Sequence, residues 1–105
     1  MQVDGFDWDA GNLAKCQQHG MSVVEIEWAL THEPLIAPDA AHSIAEQRWI
    51  AVGRTQRQRA IYVAFTLRVR EGRTLTRPVS ARYMHAKEQI RYEQTAPHSP
   101  GNDER

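Results

Sequence analysis

The chain has a single cysteine, Cys16, among its 105 residues. A lone thiol excludes an internal disulfide framework and any cysteine cage for zinc. The five histidines (His19, His32, His42, His85, His98) include no helical i, i+4 pair of the kind that ligates metal, so neither a zinc or iron site nor any other cofactor is expected. No apolar run approaches the roughly 20 residues of a membrane span, and no basic-then-apolar leader opens the chain. The expected setting is therefore cytoplasmic, with no membrane partner. Also missing are a glycine loop for phosphate and a nucleophile elbow. The length allows one domain with one modest core. Its expected extent is residues 1–94, followed by a polar, turn-rich tail over 95–105 expected to be disordered.

Charge is what the chain distributes unevenly. Residues 1–47 carry one basic residue, Lys15, against eight acids, whereas residues 48–91 carry eleven basic residues against Glu71 and Glu88. A formal charge of zero thus conceals an acidic half and a basic half. A basic half suits a polyanion, because Lys and Arg neutralise phosphates and release their counterions. Two faces that neutralise each other across the fold would use the same residues.

The apolar periodicities predict an α+β fold. Val3, Phe6 and Trp8 among aspartates suit a short edge strand or extended lead-in. Asp7 or Asp9 then caps a helix from Ala10 to Gln18, which Gly20 stops. Ser22 with Glu25 forms a capping box for a second helix that ends before Pro34. The two make an N-terminal αα-hairpin. Leu35 to Ser43 suits a short strand and loop. Strand-like alternation follows over Glu46 to Thr55, most clearly over Ile61 to Arg70, and again from Leu75 to Ala81. Pro78 removes a ladder donor from this last run, which predicts a bulge or an unpaired edge. A final helix is expected from Tyr83 or Met84 to Gln94. The architecture is an αα-hairpin, an antiparallel three- to four-stranded meander sheet and a C-terminal helix.

Ser80, Arg82, Tyr83, His85, Lys87 and Glu88 crowd the joint between the last strand and the last helix. If the meander puts its polar faces on one side, Arg68 and Arg82 converge with one or both of Arg48 and Arg54. Guanidinium groups bind phosphate through paired N–H donors, so this would make a phosphodiester clamp. A solvated charged face is the competing account. RNA brings its own nucleophile, the 2′-hydroxyl, so cleavage needs only a base, an acid and positive charge at the phosphate. His19, Glu46, His85 and Glu88 are the proton-transfer candidates, and Tyr83 and Tyr92 could bond a phosphate or stack on a base.

The ordered series Phe6-Asp-Trp-Asp9, Asn12, His19-Gly20 and the Ser22 helix, Glu46-x-Arg48 and Ile50-Ala-Val-Gly-Arg54 resembles the BrnT family. Val63-Ala-Phe-Thr-Leu-Arg68, Ser80-Ala-Arg82, Glu88 and Tyr92-Glu93 extend the resemblance to about residues 6–93. BrnT proteins are the ribonuclease half of the BrnT/BrnA type II toxin–antitoxin systems. The resemblance implies a RelE-like fold and a metal-independent endoribonuclease that inhibits translation. It implies neutralisation by a BrnA-like ribbon-helix-helix antitoxin, and DNA contact only through the antitoxin complex. The family's site residues fall on Arg68 and Arg82, with Arg48, His19 and Tyr92 in support. Gln18 stands where the family usually has lysine. A catalytically weak nucleic-acid- or antitoxin-binding module in operon autoregulation is the alternative function.

Overall fold

The computed structural model describes residues 4–88 and residue 90. Eight elements follow in chain order. They are β1 (Gly5–Phe6), α1 (Ala10–Cys16), α2 (Val23–Thr31), β2 (Leu35–Pro38), a 3-10 turn (Ala40–His42), β3 (Trp49–Arg54), β4 (Ala60–Arg70) and β5 (Arg73–Tyr83). The strands form one sheet in the order β1-β5-β4-β3-β2. β2 to β5 make a four-stranded antiparallel meander, and β1 adds a parallel edge beside β5. The expected three- to four-stranded sheet is therefore five-stranded. The fifth strand is the N-terminal lead-in, where Asp4 Oδ2 accepts from the Thr74 backbone N–H at 2.8 Å.

Local chemistry accounts for most boundaries. Asp9 is the N-cap of α1, its side chain accepting from the Gly11 and Asn12 amides while Asn12 returns a bond to the Asp9 amide. α1 ends at Cys16, two residues earlier than expected, and Gly20 takes φ +86° where the chain turns. The Ser22–Glu25 capping box of α2 is present. The β4–β5 turn has positive φ at both Glu71 and Gly72, the backbone that suits a two-residue hairpin loop. β3 begins at Trp49 rather than Glu46 because Ser43 closes the preceding loop on itself. The Ser43 hydroxyl donates to the Asp39 carbonyl at 2.7 Å and accepts from the Arg48 amide at 2.8 Å.

The two helices do not form the expected paired hairpin: α1 packs on β5 and α2 on β3. The small size of Gly53 admits α2, since a Cβ there would stand 3.0 Å from the Ala29 carbonyl oxygen. One sheet face meets the helices through Ala51, Ile61, Val63, Phe65 and Ala81, with Cys16, Met21, Ile26 and Ala29 opposite. Burial pushes the Cys16 thiol up to about 11, as suits an inert core side chain.

The expected irregularity at Pro78 is a bulge on β5. Phe65 pairs with Pro78 while Ala64 pairs with Ser80, so Val79 is the extra residue. Residues 86–88 are helical. Tyr83, however, is the last residue of β5 rather than the start of a helix, and the expected helix from residue 89, apart from residue 90, lies outside the described residues with the tail.

Past β1, α1 takes over the outer edge of β5. Buried Asn12 donates from Nδ2 to the Pro78 carbonyl at 2.8 Å and to the Asp7 carbonyl at 3.0 Å. Asn12→Ala removes the reciprocal cap and strands a buried carbonyl, for a combined loss of about 2–3 kcal/mol. Urea unfolding measures it, and a loss below about 0.5 kcal/mol would contradict this role.

Candidate functional site on the arginine face

The sheet face turned away from the helices carries the basic residues. Across the ladders Val52, Tyr62 and Arg82 stand side by side, as do Ile50, Ala64 and Ser80. Further along β4, Thr66 pairs with Arg77 and Arg68 with Leu75. The bulge reverses the alternation of β5, so Arg77 and Arg82 share this face although five residues apart. Arg48, Arg54, Arg68 and Arg82 thus share one side, as expected. They do not form one clamp. Arg82 lies opposite Tyr62, six residues from Arg68 along β4. At about 3.3 Å per residue their backbones stand about 20 Å apart, and the guanidiniums turn to different partners, Arg82 to Glu88 and Arg68 to Glu46.

The near end is centred on Arg82. Its Nη1 and Nη2 donate to Glu88 Oε1 and Oε2 at 2.7 and 2.8 Å, and its guanidinium stands 4.7 Å over the Tyr62 ring. The Glu88 bond raises the Arg82 pKa further. Arg82 and the His85 backbone N–H together hold the Glu88 carboxyl down to about 2. A carboxylate so engaged orients an arginine and serves poorly as a base. His19 enters from the turn after α1. It lines one hollow with Lys15, Tyr62, Ser80 and Arg82, and an adjoining one with Arg59, Arg82, Tyr83 and His85. Arg54 shares this end of the sheet, opposite Ala60, and donates to the Gln58 carbonyl at 3.0 Å.

Tyr83 departs from the expectation. It pairs with Ile61 and so belongs to the helix side, where its hydroxyl donates to Glu25 at 3.0 Å. Burial, followed by that bond, raises its pKa, and Arg59 lies 3.9 Å over its ring. The phenol bridges sheet and α2, and only the rim of the hollow includes it. Tyr92 lies outside the described residues.

The far end holds Arg68, Glu46, Thr66 and Arg48. Arg68 Nη1 is bonded to Glu46 and reaches Thr66 Oγ1 at 3.3 Å. Glu46 therefore sits with Arg68, apart from the His19 hollow. Arg48 Nε is 4.0 Å from Asp39 Oδ2, beyond hydrogen-bond reach. Among the described residues it is the one buried side-chain polar atom with no partner. An unmet buried donor costs about 1–3 kcal/mol, so Arg48 stores an unused bond.

The competing account of the charge asymmetry is partly what the fold does. Asp7 pairs with Arg70 and Arg77, Asp9 with Arg77, and Glu46 with Arg68. Sequence reasoning missed one pair: His42 Nδ1 donates to Asp39 Oδ2 at 2.9 Å. The signal was local, because the two stand three residues apart around a 3-10 turn. Among the described residues no group of three or more His, Cys, Asp or Glu could hold a metal ion, and no helix is long and apolar enough to cross a membrane.

A family model for ribonuclease toxins of type II toxin–antitoxin systems matches residues 8–88. That family is BrnT, and this chain belongs to it. Membership brings an RNA target and an antitoxin partner. The matched stretch contains both ends of the arginine face and stops short of Tyr92. No curated protein matches the chain.

Because the folded Glu88 pKa lies below its ordinary 4.5, the Arg82 contact stabilises the fold fully above that pH and less as pH falls toward 2. The urea midpoint of Glu88→Gln should therefore lie below wild type at pH 6, and the gap should close by pH 2. An equal gap at both pH values would show that Glu88 acts by another route.

Proposed function

We propose that the protein is a metal-independent endoribonuclease that arrests translation, with a RelE-like fold and a BrnA-like ribbon-helix-helix antitoxin as its inhibitor. DNA is then contacted only through the antitoxin complex. The observation that carries the cleavage reading is the hollow in which His19 and His85 share a wall with Arg82. Imidazole is the side chain best suited to move protons near neutral pH. A guanidinium has five N–H donors, so Arg82 retains donors for a phosphate while Glu88 holds its fork.

The reaction assigned to this hollow is transesterification within RNA. His19 removes the proton of the 2′-hydroxyl, and the 2′-oxygen attacks phosphorus. The bond to the 5′-oxygen breaks as His85 protonates the departing oxygen. The products are a 2′,3′-cyclic phosphate and a 5′-hydroxyl end. Arg82 offsets the charge that develops on the non-bridging oxygens, and water resets both histidines. Arg59, Lys15 and Arg54 strengthen the local field, which favours entry of a polyanion.

Cleavage of single-stranded RNA in excess EDTA tests this reading. His19→Ala should slow cleavage by about 10²–10⁴-fold, the span of general acid–base catalysis, and Arg82→Ala by about 10²–10³-fold. Wild-type rates in both variants would overturn the assignment. RNA binding without cleavage by the wild-type protein would instead favour a binding module in operon autoregulation. In cells, induction of the wild-type chain should stop growth and Arg82→Ala should relieve the arrest.

A further inference from the structure

The loop between β2 and β3 carries chemistry that the His19 hollow leaves unused. Asp39 continues β2, and its amide donates to the Arg48 carbonyl at 2.8 Å. This keeps it level with Arg48 on the arginine face. Its carboxylate, only 14% exposed, accepts from His42 Nδ1. A carboxylate so placed fixes the imidazole and leaves Nε2 for a ligand. The His42 side chain is 65% exposed, so that nitrogen is reachable. Beside it lie Arg48, its side chain 30% exposed with Nε turned inward, and the guanidinium of Arg68, whose bonds to Glu46 and Thr66 both leave from Nη1. Two guanidiniums and an oriented imidazole suit an oxyanion with several acceptor oxygens.

We infer that Asp39, His42, Arg48 and Arg68 form a second phosphate-binding subsite, which takes a phosphodiester of the same RNA strand about 13–20 Å from the one at Arg82. The inference rests on the RNA reading above and adds a footprint to it. A stacked strand advances about 3.4 Å per nucleotide, so about four to six nucleotides span the two ends. Tyr62, Ala64 and Thr66 of β4 lie beneath the strand between them. Arg48 and Arg68 bind phosphate directly, His42 adds a third donor from Nε2 in its imidazolium form, and Asp39 is a positioning residue.

The test uses 2′-O-methyl oligonucleotides of two to ten residues, which lack the attacking hydroxyl and so report binding alone. Fluorescence anisotropy on the full chain should show affinity rising up to about four to six nucleotides and then levelling. In His42→Gln and in Arg48→Ala the affinity ratio of octamer to trimer should fall about tenfold. The octamer's salt slope should also drop by about 0.7 for each phosphate that the variant no longer neutralises. Val24→Ala, an exposed change on α2, should keep the wild-type ratio. Melting curves check that the variants fold, and His42→Gln, at an exposed site, keeps the test open if Arg48→Ala does not.

Levelling at two or three nucleotides would overturn the subsite, as would wild-type ratios in folded variants. Failure to bind RNA at any length would overturn both the subsite and the RNA reading. Length-dependent binding without cleavage by the wild-type protein would sustain the subsite and refute only the cleavage reading.

Discussion

Between β4 and β5 a long ladder and one bulge decide which side chains share a face and how far apart they stand. The odd-numbered apolar residues of β4 turn to the helices, so Tyr62, Ala64, Thr66 and Arg68 must turn the other way. Val79 is the residue that β5 inserts, and its insertion keeps Thr76 and Pro78 in step with the core while Arg77 and Arg82 join the arginine face. Pro78 has no amide to give the ladder, and Asn12 of α1 takes its carbonyl at the outer edge. The same bond draws α1 along β5 and brings His19 toward Arg82. Fold and site thus meet at one hydrogen bond.

Arginines crowded on one face repel one another, and carboxylates from the N-terminal half relieve much of that repulsion. Asp7 and Asp9 hold Arg70 and Arg77, where β1 and the first turn of α1 meet the sheet. Such partly exposed ion pairs add little stability each, so their main effect is to fix direction. The two ends of the face differ in what surrounds their arginines. Arg82 lies among histidines in a hollow, whereas Arg68 and Arg48 lie against an acidic loop with an oriented histidine. The proposed chemistry belongs with the first environment and the proposed strand capture with the second.

Much of this is legible in the sequence. Asp9, the Ser22–Glu25 box and Gly20 mark the helices because caps are local chemistry, and the alternation from Ile61 to Arg70 marks β4 and its two faces. Pro78 announces its bulge. Separation along a strand is harder to read. That Arg68 and Arg82 share a face follows from alternation, but the ladder register sets the distance of about 20 Å between them. Tyr83 falls on the arginine face only if the strand ends sooner, and one further residue of β5 turns it to Glu25. The His42–Asp39 pair escapes a sequence reading because a 3-10 turn has no strong sequence signature.

The central claim is that one RNA strand lies along β4 and engages both ends of the arginine face. Side-chain NMR of arginine-labelled protein during titration with a 2′-O-methyl octanucleotide tests it most directly. The Nε–H resonances of Arg82 and Arg48 should shift together with a single midpoint at one strand per protein. Movement of Arg82 alone, or separate midpoints for the two, would contradict the account.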